Sequence, residues 1–183
     1  MSEPMTATTH LTHLERAARV KLMIFDVDGV LTDGSLTYSA DGEALKTFNV
    51  YDGLGIKLLQ ESGVLTAIIS ARISPQVVKR AADLGIGFLH QGGHDKLTPF
   101  NALLEKTGLT AGQVGFIGDD VVDLPILTRV GFAVAVPGGR PEVLARAHHV
   151  TTAPGGRGAV RELCELLLQA QGTHAQVMAQ FLV

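Results

Sequence analysis

The feature that most constrains this chain is the run Lys21-Leu22-Met23-Ile24-Phe25-Asp26-Val27-Asp28-Gly29. Leu22 to Phe25 is apolar without interruption, the pattern of a short parallel strand covered on both faces. Asp26 and Asp28 follow with one residue between them, and Gly29 lets the chain turn sharply. With Asp26 at the strand's carboxyl end and Asp28 just beyond it, both carboxylates reach one crevice, where open α/β sheets bind ligands. Carboxylates so close repel each other and lose hydration unless a cation or a shared proton compensates. The stretch therefore asks for a metal, a proton, or both.

Downstream, apolar strands alternate with amphipathic helices. The periodicity predicts helices over 10–19, 52–62, 75–84, 95–106, 121–128, 141–147 and 159–171. Strands are expected over 22–25, 64–69, 86–89, 114–117, 132–136 and 149–151. Strands separated by helices imply an α/β fold, a Rossmann-like doubly wound parallel sheet with right-handed crossovers. One interruption stands out. Two β-favouring runs, 36–39 and 45–50, flank Ala40-Asp41-Gly42-Glu43, which predicts a β-hairpin over 35–50 projecting beside the acidic loop.

No linker is long enough for a second domain or an inserted cap, so residues 1–183 read as one domain of ordinary size. Residues 1–9 read as disordered and 173–183 as a tail whose apolar end, Phe181-Leu182-Val183, needs somewhere to dock.

Composition narrows the function. Apolar residues make up 46% and charged residues 18%, with a formal charge of −3, which disfavours a nucleic-acid partner. Tryptophan is absent, so base-stacking platforms are also disfavoured. The single cysteine, Cys164, falls in an apolar helical pattern; it fits a small buried residue and a reduced, cytoplasmic setting. The apolar runs are too short to span a bilayer.

The loops at successive strand ends carry the residue types of one site: Asp26 and Asp28, then Ser70 and Arg72, then Lys96, then Asp119, Asp120 and Asp123. Taken singly, each has a plainer reading. Asp-x-Asp-Gly serves in turns, a lysine at a helix start is commonly at the surface, and Asp119-Asp120 could cap a helix. Their order along one sheet edge favours phosphoryl transfer. Asp26, Asp28 and Asp119 offer hard oxygen ligands suited to Mg²⁺. Asp26 would attack phosphorus and form an aspartyl-phosphate. Asp28 would give a proton to the leaving oxygen and then take one from water, a role that burial beside another carboxylate would favour. Ser70 would hold a phosphate oxygen, and Lys96 would place a positive charge on the phosphate and on Asp26. Asp123 would brace Lys96 or a metal-bound water, and Asp120 would cap a helix or support the site from behind.

These motifs, Asp26-Val27-Asp28-Gly29-Val30-Leu31-Thr32, the strand-end Ser70, Lys96 and Gly118-Asp119-Asp120-Val121-Val122-Asp123, resemble the four motifs of the haloacid dehalogenase (HAD) phosphatase superfamily. Asp33-Gly34, the run from Phe48 to Lys57 and Gly155-Gly156-Arg157-Gly158-Ala159-Val160-Arg161-Glu162 are similar to the 3-deoxy-D-manno-octulosonate 8-phosphate (KDO 8-phosphate) phosphatase family within it. The resemblance implies a capless enzyme that hydrolyses KDO 8-phosphate for lipopolysaccharide biosynthesis. It implies a homotetramer in which neighbouring subunits complete each active site; because the chain has no lid of its own, the projecting hairpin and the apolar tail are expected to close the site next door. It implies that Asp26, Asp28 (through its backbone carbonyl) and Asp119 hold the metal. Asp28, Asn49, Val50, Tyr51, Asp52, Gly53, Lys57, Arg72, Arg80 and Lys96 are then substrate contacts. Two positions depart from the family's pattern: Ala71, where relatives commonly have glycine, and Tyr51, where they often have a basic residue. Two other functions compete, a nonulosonate (sialic-acid-type) 9-phosphate phosphatase on the same fold and a receiver-type phospho-acceptor signalling domain.

Overall fold

The computed structural model describes residues 11–182. The disorder expected for residues 1–9 and the terminal Val183 lie outside the described residues. In chain order the elements are α1 (His13–Ala17), β1 (Leu22–Phe25), β2 (Thr37–Ser39), β3 (Gly42–Leu45), α2 (Val50–Glu61), β4 (Leu65–Ser70), α3 (Pro75–Leu84) and β5 (Phe88–Gln91). They continue with α4 (Leu97–Thr107), β6 (Val114–Gly118), α5 (Leu124–Leu127), β7 (Phe132–Ala135), α6 (Pro141–Leu144), β8 (His149–Val150), α7 (Ala159–Ala170) and α8 (His174–Met178).

Six strands form one parallel sheet in the order β5-β4-β1-β6-β7-β8. The chain runs outward from β1 through β4 to β5, then returns to β6 and runs the other way. The reversal falls between β1 and β6, and the crevice at such a switch point is where doubly wound sheets bind ligands. Between β1 and α2 there is only the antiparallel β2–β3 hairpin.

The alternation of side chains along β1 sets the layers. Met23 and Phe25 join the core under α2 and α7, with Ile56, Leu59, Leu163 and Leu167. Leu22 and Ile24 join the opposite core, with Phe100 of α4, Ile126 and Leu127 of α5 and Val143 of α6. Each such fully buried side chain contributes about 1.5–3 kcal/mol. Asp26 continues the parity of Leu22 and Ile24, so it is aimed at the layer that contains α4.

Most expected elements are present, with shifted ends. The second hairpin strand was expected over 45–50 but ends at Leu45, and Val50 opens α2. The Asn49 side chain decides this: Oδ1 accepts the backbone N–H of Tyr51 at 2.8 Å and of Asp52 at 3.4 Å, an N-cap that starts the helix early. β5 begins at Phe88 and not at Ile86, because Gly85 is left-handed (φ 69°) and the Ile86 N–H turns back to the Ala81 carbonyl at 2.9 Å. The helix expected over 121–128 begins as a 3₁₀ turn, Val121–Asp123, before α5.

The tail is ordered at its start. Val177 of α8 is buried in the core, and Gln180 Nε2 donates to Glu61 Oε2 at 2.6 Å, at the end of α2 remote from the acidic loop. Phe181 and Leu182 remain exposed. Among the described residues no helix is long and apolar enough to cross a membrane.

Candidate active site

The carboxyl ends of β1, β4 and β6 and the start of α4 converge on a cleft of about 370 Å³. Asp26, Asp28, Ser70, Arg72, Lys96, Asp119 and Asp120 all line it. The loops anticipated from sequence are therefore together at one sheet edge.

At its floor lies a buried triad. Lys96 is 1% exposed; its Nζ is 2.8 Å from Asp26 Oδ1 and 2.6 Å from Asp123 Oδ1. A plain surface lysine at a helix start is excluded. Asp123 Oδ2 accepts the backbone N–H of Asp119 at 2.9 Å and of Asp120 at 3.2 Å. Both Asp123 oxygens are thus in use, and this carboxylate braces Lys96 and the loop after β6. Burial, with Asp123 adding to it and Lys96 opposing, pushes the Asp26 carboxyl up to about 8. Burial works against the Lys96 ammonium, yet Asp26 and Asp123 together hold its proton more tightly than water does.

Asp119 faces Asp26. Burial, reinforced by Asp123 and Asp120, pushes its carboxyl up to about 6. Its Oδ1 is buried and has no hydrogen-bond partner. A buried carboxylate oxygen without a donor is costly. Oxygens of Asp26, Asp119 and Asp123 lie within 4.8 Å of one another, close enough to surround one cation. Because the Asp123 oxygens are engaged elsewhere, Asp26 and Asp119 are the carboxylates that fit a hard divalent ion.

Glycines let these groups approach. Gly29 is left-handed (φ 87°), and a Cβ there would strike the Asp119 carboxylate. Gly155 packs so closely on the acidic loop that a Cβ would strike the Gly29 carbonyl, and the Gly156 N–H donates to the Val30 carbonyl at 2.8 Å. The glycine-rich run before α7 thus supports the acidic loop from behind.

At the cleft's mouth, Ser70 is buried at the end of β4, and its Oγ accepts the Arg72 N–H at 3.4 Å. Ala71 has no left-handed backbone, so its methyl is tolerated. Asp28 is not buried beside another carboxylate as expected. Its side chain is 22% exposed and faces two cations, Lys46 and Arg72.

Several sequence-derived contacts lie outside this cleft. The Asp52 carboxylate is buried and accepts the N–H of Arg161 at 2.8 Å and of Gly158 at 3.4 Å. It ties α2 to the start of α7. Gly53 is buried where Arg80 crosses it, and Arg80 Nη2 donates to the Asn49 carbonyl at 3.0 Å. Val50 and Tyr51 are exposed on the first turn of α2, and Lys57 is exposed further along it.

The sequence reading missed Lys46, Glu43 and Tyr38 on the hairpin and His94 in the cleft wall. A signal for Lys46 existed: the Asp28 side chain was given a proton-transfer role with no basic side chain to hold it, and Lys46 lies in the segment immediately downstream.

With this geometry in place, kinship can be stated. A family model described as haloacid dehalogenase-like hydrolase matches residues 84–163. The 3-deoxy-D-manno-octulosonate 8-phosphate phosphatase of Salmonella typhi is 46% identical over 165 residues, 90% of this chain and 87% of that protein. The crystal structure of the corresponding phosphatase from Moraxella catarrhalis, in complex with magnesium, phosphate and KDO, superposes with a TM-score of 0.90 at 42% identity. It covers 92% of this chain and 97% of its own. The Yersinia pestis phosphatase superposes with a TM-score of 0.86 at 46% identity, covering 88% and 87%. The chain belongs to the 3-deoxy-D-manno-octulosonate 8-phosphate phosphatase family of haloacid dehalogenase-like hydrolases. A receiver-type signalling domain is thereby set aside.

Proposed function

We propose that this protein hydrolyses KDO 8-phosphate to KDO and inorganic phosphate, in lipopolysaccharide biosynthesis, through a phosphoryl group carried on Asp26. The observation that carries this reading is the orphaned, buried Oδ1 of Asp119 opposite the Asp26–Lys96 pair. That arrangement fits one hard cation and one phosphate. Asp26 and Asp119, with the Asp28 backbone carbonyl, would hold Mg²⁺, which would supply positive charge that lowers the repulsion between a carboxylate and a phosphate.

The chain's own groups then have distinct tasks. The Asp26 carboxylate attacks phosphorus; an O–P bond forms and the P–O bond to the sugar breaks. Asp28 gives a proton to the departing sugar oxygen. In the second half a water oxygen attacks phosphorus, Asp28 takes its proton, and the Asp26–phosphorus bond breaks to release phosphate. Lys96 stabilises negative charge on the phosphate oxygens and keeps Asp26 oriented, and Ser70 holds a phosphate oxygen. Arg72, at the cleft's mouth, is the basic group for the sugar's carboxylate. Asp123 and Asp120 support the loop from behind.

We further propose a homotetramer whose neighbours complete each site. Two observations support this. Asn49, Val50, Tyr51, Gly53, Lys57 and Arg80 do not line their own chain's cleft. The hairpin and the start of α2 expose Leu36, Tyr38, Leu45, Val50 and Tyr51 as apolar surface. Phe181 and Leu182, remote from their own chain's cleft, would close a neighbour's. The single-domain, cytoplasmic setting belongs to the same reading; Cys164 is buried, and burial pushes its thiol up, so it is not a nucleophile.

The test is phosphate release, with Mg²⁺, from KDO 8-phosphate and from a nine-carbon nonulosonate 9-phosphate. The eight-carbon substrate is expected to have the higher kcat/KM. A reversal reassigns the substrate, and no release from either rejects the reading.

A further inference from the structure

The base of the hairpin carries two charged residues that this mechanism does not use, Lys46 and Glu43, joined to two that it does, Asp28 and Arg72. Lys46 follows β3 on an otherwise exposed hairpin, yet its side chain is only 1% exposed. Its Nζ pairs with Asp28 Oδ1 and lies 3.5 Å from Glu43 Oε1. Glu43 Oε2 accepts from Arg72 Nη2 at 3.0 Å, and Glu43 Oε1 accepts from the buried Ser74 hydroxyl at 3.1 Å. Arg72 Nη2 also donates to the Tyr38 hydroxyl at 3.0 Å, and Arg72 Nε is 3.7 Å from Asp28 Oδ2. The four charges close a ring of alternating sign: Asp28, Lys46, Glu43, Arg72 and back to Asp28.

Taking an ammonium out of water costs several kcal/mol and needs carboxylates to offset it. Here one of those carboxylates is Asp28, the proton-transfer group of the proposed reaction. A partly exposed aspartate left alone samples several rotamers. Pairing Oδ1 with Lys46 removes that freedom and leaves Oδ2 toward the Arg72 side of the cleft. Tyr38 and Glu43 between them take both hydrogens of Arg72 Nη2, which fixes the guanidinium plane.

We propose that Lys46 and Glu43 are positioning residues for the reaction. Lys46 holds the Asp28 carboxylate where it can exchange a proton with the sugar oxygen. Glu43 holds Lys46 and Arg72 in register with it. The hairpin thus serves its own chain's cleft with its inner side while its outer side stays free for a neighbour. This inference rests on the phosphatase reading, because it assigns Asp28 its proton.

The experiment uses the full chain with Mg²⁺ and two substrates, the sugar phosphate and p-nitrophenyl phosphate, whose phenolate leaves without needing a proton. The variants are Lys46→Met, Lys46→Arg and Glu43→Gln, each checked for folding by thermal melting. Lys46→Met is expected to lower kcat on the sugar phosphate about 100-fold, the scale of lost acid catalysis, with KM nearly unchanged. Its loss on p-nitrophenyl phosphate should be under about 10-fold. Lys46→Arg should recover most of the difference, and Glu43→Gln should show the same split, smaller. If Lys46→Met fails to fold, the Glu43→Gln split decides. Equal losses on both substrates, a loss confined to KM, or no loss overturns the positioning role. Wild-type protein inert on both substrates would instead reject the phosphatase reading itself.

Discussion

Two ion clusters flank the same cleft, and they are built differently. Asp26, Lys96 and Asp123 grow from strand ends and a helix start, and none of their side chains is more than 9% exposed. Asp28, Lys46, Glu43 and Arg72 join the acidic loop to a hairpin and to the loop after β4, and Arg72 is 41% exposed. The inner charges have no water to fall back on, so they must remain paired or meet a metal. Of the outer charges, Arg72 has solvent beside it and can exchange partners when an anion arrives, whereas Lys46 is as buried as Lys96. The inner cluster is therefore tied to the fold as well as to the proposed chemistry, and the outer one, through Arg72, lies open to a substrate.

Lys96→Met breaks the comparison most severely. It leaves Asp26 and Asp123 buried without their cation, and the metal-free protein should lose about 3–5 kcal/mol in chemical denaturation, with phosphate release abolished. A loss within about 1 kcal/mol, the scale of an exposed pair, would mean the inner cluster is no more structural than the outer.

The next effect is on pH. Asp26 and Asp119 keep their protons to about 8 and about 6 in the fold, against 3.8 for an ordinary aspartate. Between these values the folded state binds more protons than the unfolded chain, so stability of the metal-free protein falls as pH rises from about 4 toward 8. Mg²⁺ binds the ionised carboxylates, so the Tm it adds should grow over the same range. A Mg²⁺ increment in Tm that is flat with pH would contradict the assignment of these two carboxylates.

The smallest effect on stability should come from Glu43→Gln. Solvent screens its partner Arg72, and its other partner, the buried Lys46, keeps the Asp28 carboxylate, so the unfolding free energy should fall by no more than about 1 kcal/mol. Large destabilisation would place the outer ring in the fold after all.

The same contrast explains what was legible in the sequence. The inner cluster comes from strand ends, and the apolar run into Asp26, the glycine after Asp28 and the order Ser70, Lys96, Asp119 mark those ends clearly. Strand parity even indicates that Asp26 faces the α4 layer. The outer ring depends on how the hairpin leans, which periodicity does not encode. Lys46 was passed over for that reason, its one signal being that the Asp28 side chain lacked a basic partner. The part Asp52 plays in joining α2 to the start of α7 was not legible either, because it depends on how two helices distant in sequence pack. The shift of Val50 from strand to helix follows from one side chain, Asn49, whose capping bond outweighs the β-favouring run before it.

The most direct test of the central claim is phosphate release from KDO 8-phosphate with Mg²⁺, comparing the wild type with Asp26→Asn and with chelated protein. Wild-type turnover, lost in Asp26→Asn while its melt is retained, and lost reversibly on chelation, is the predicted result. Turnover that survives in Asp26→Asn would contradict the claim that Asp26 carries the phosphoryl group.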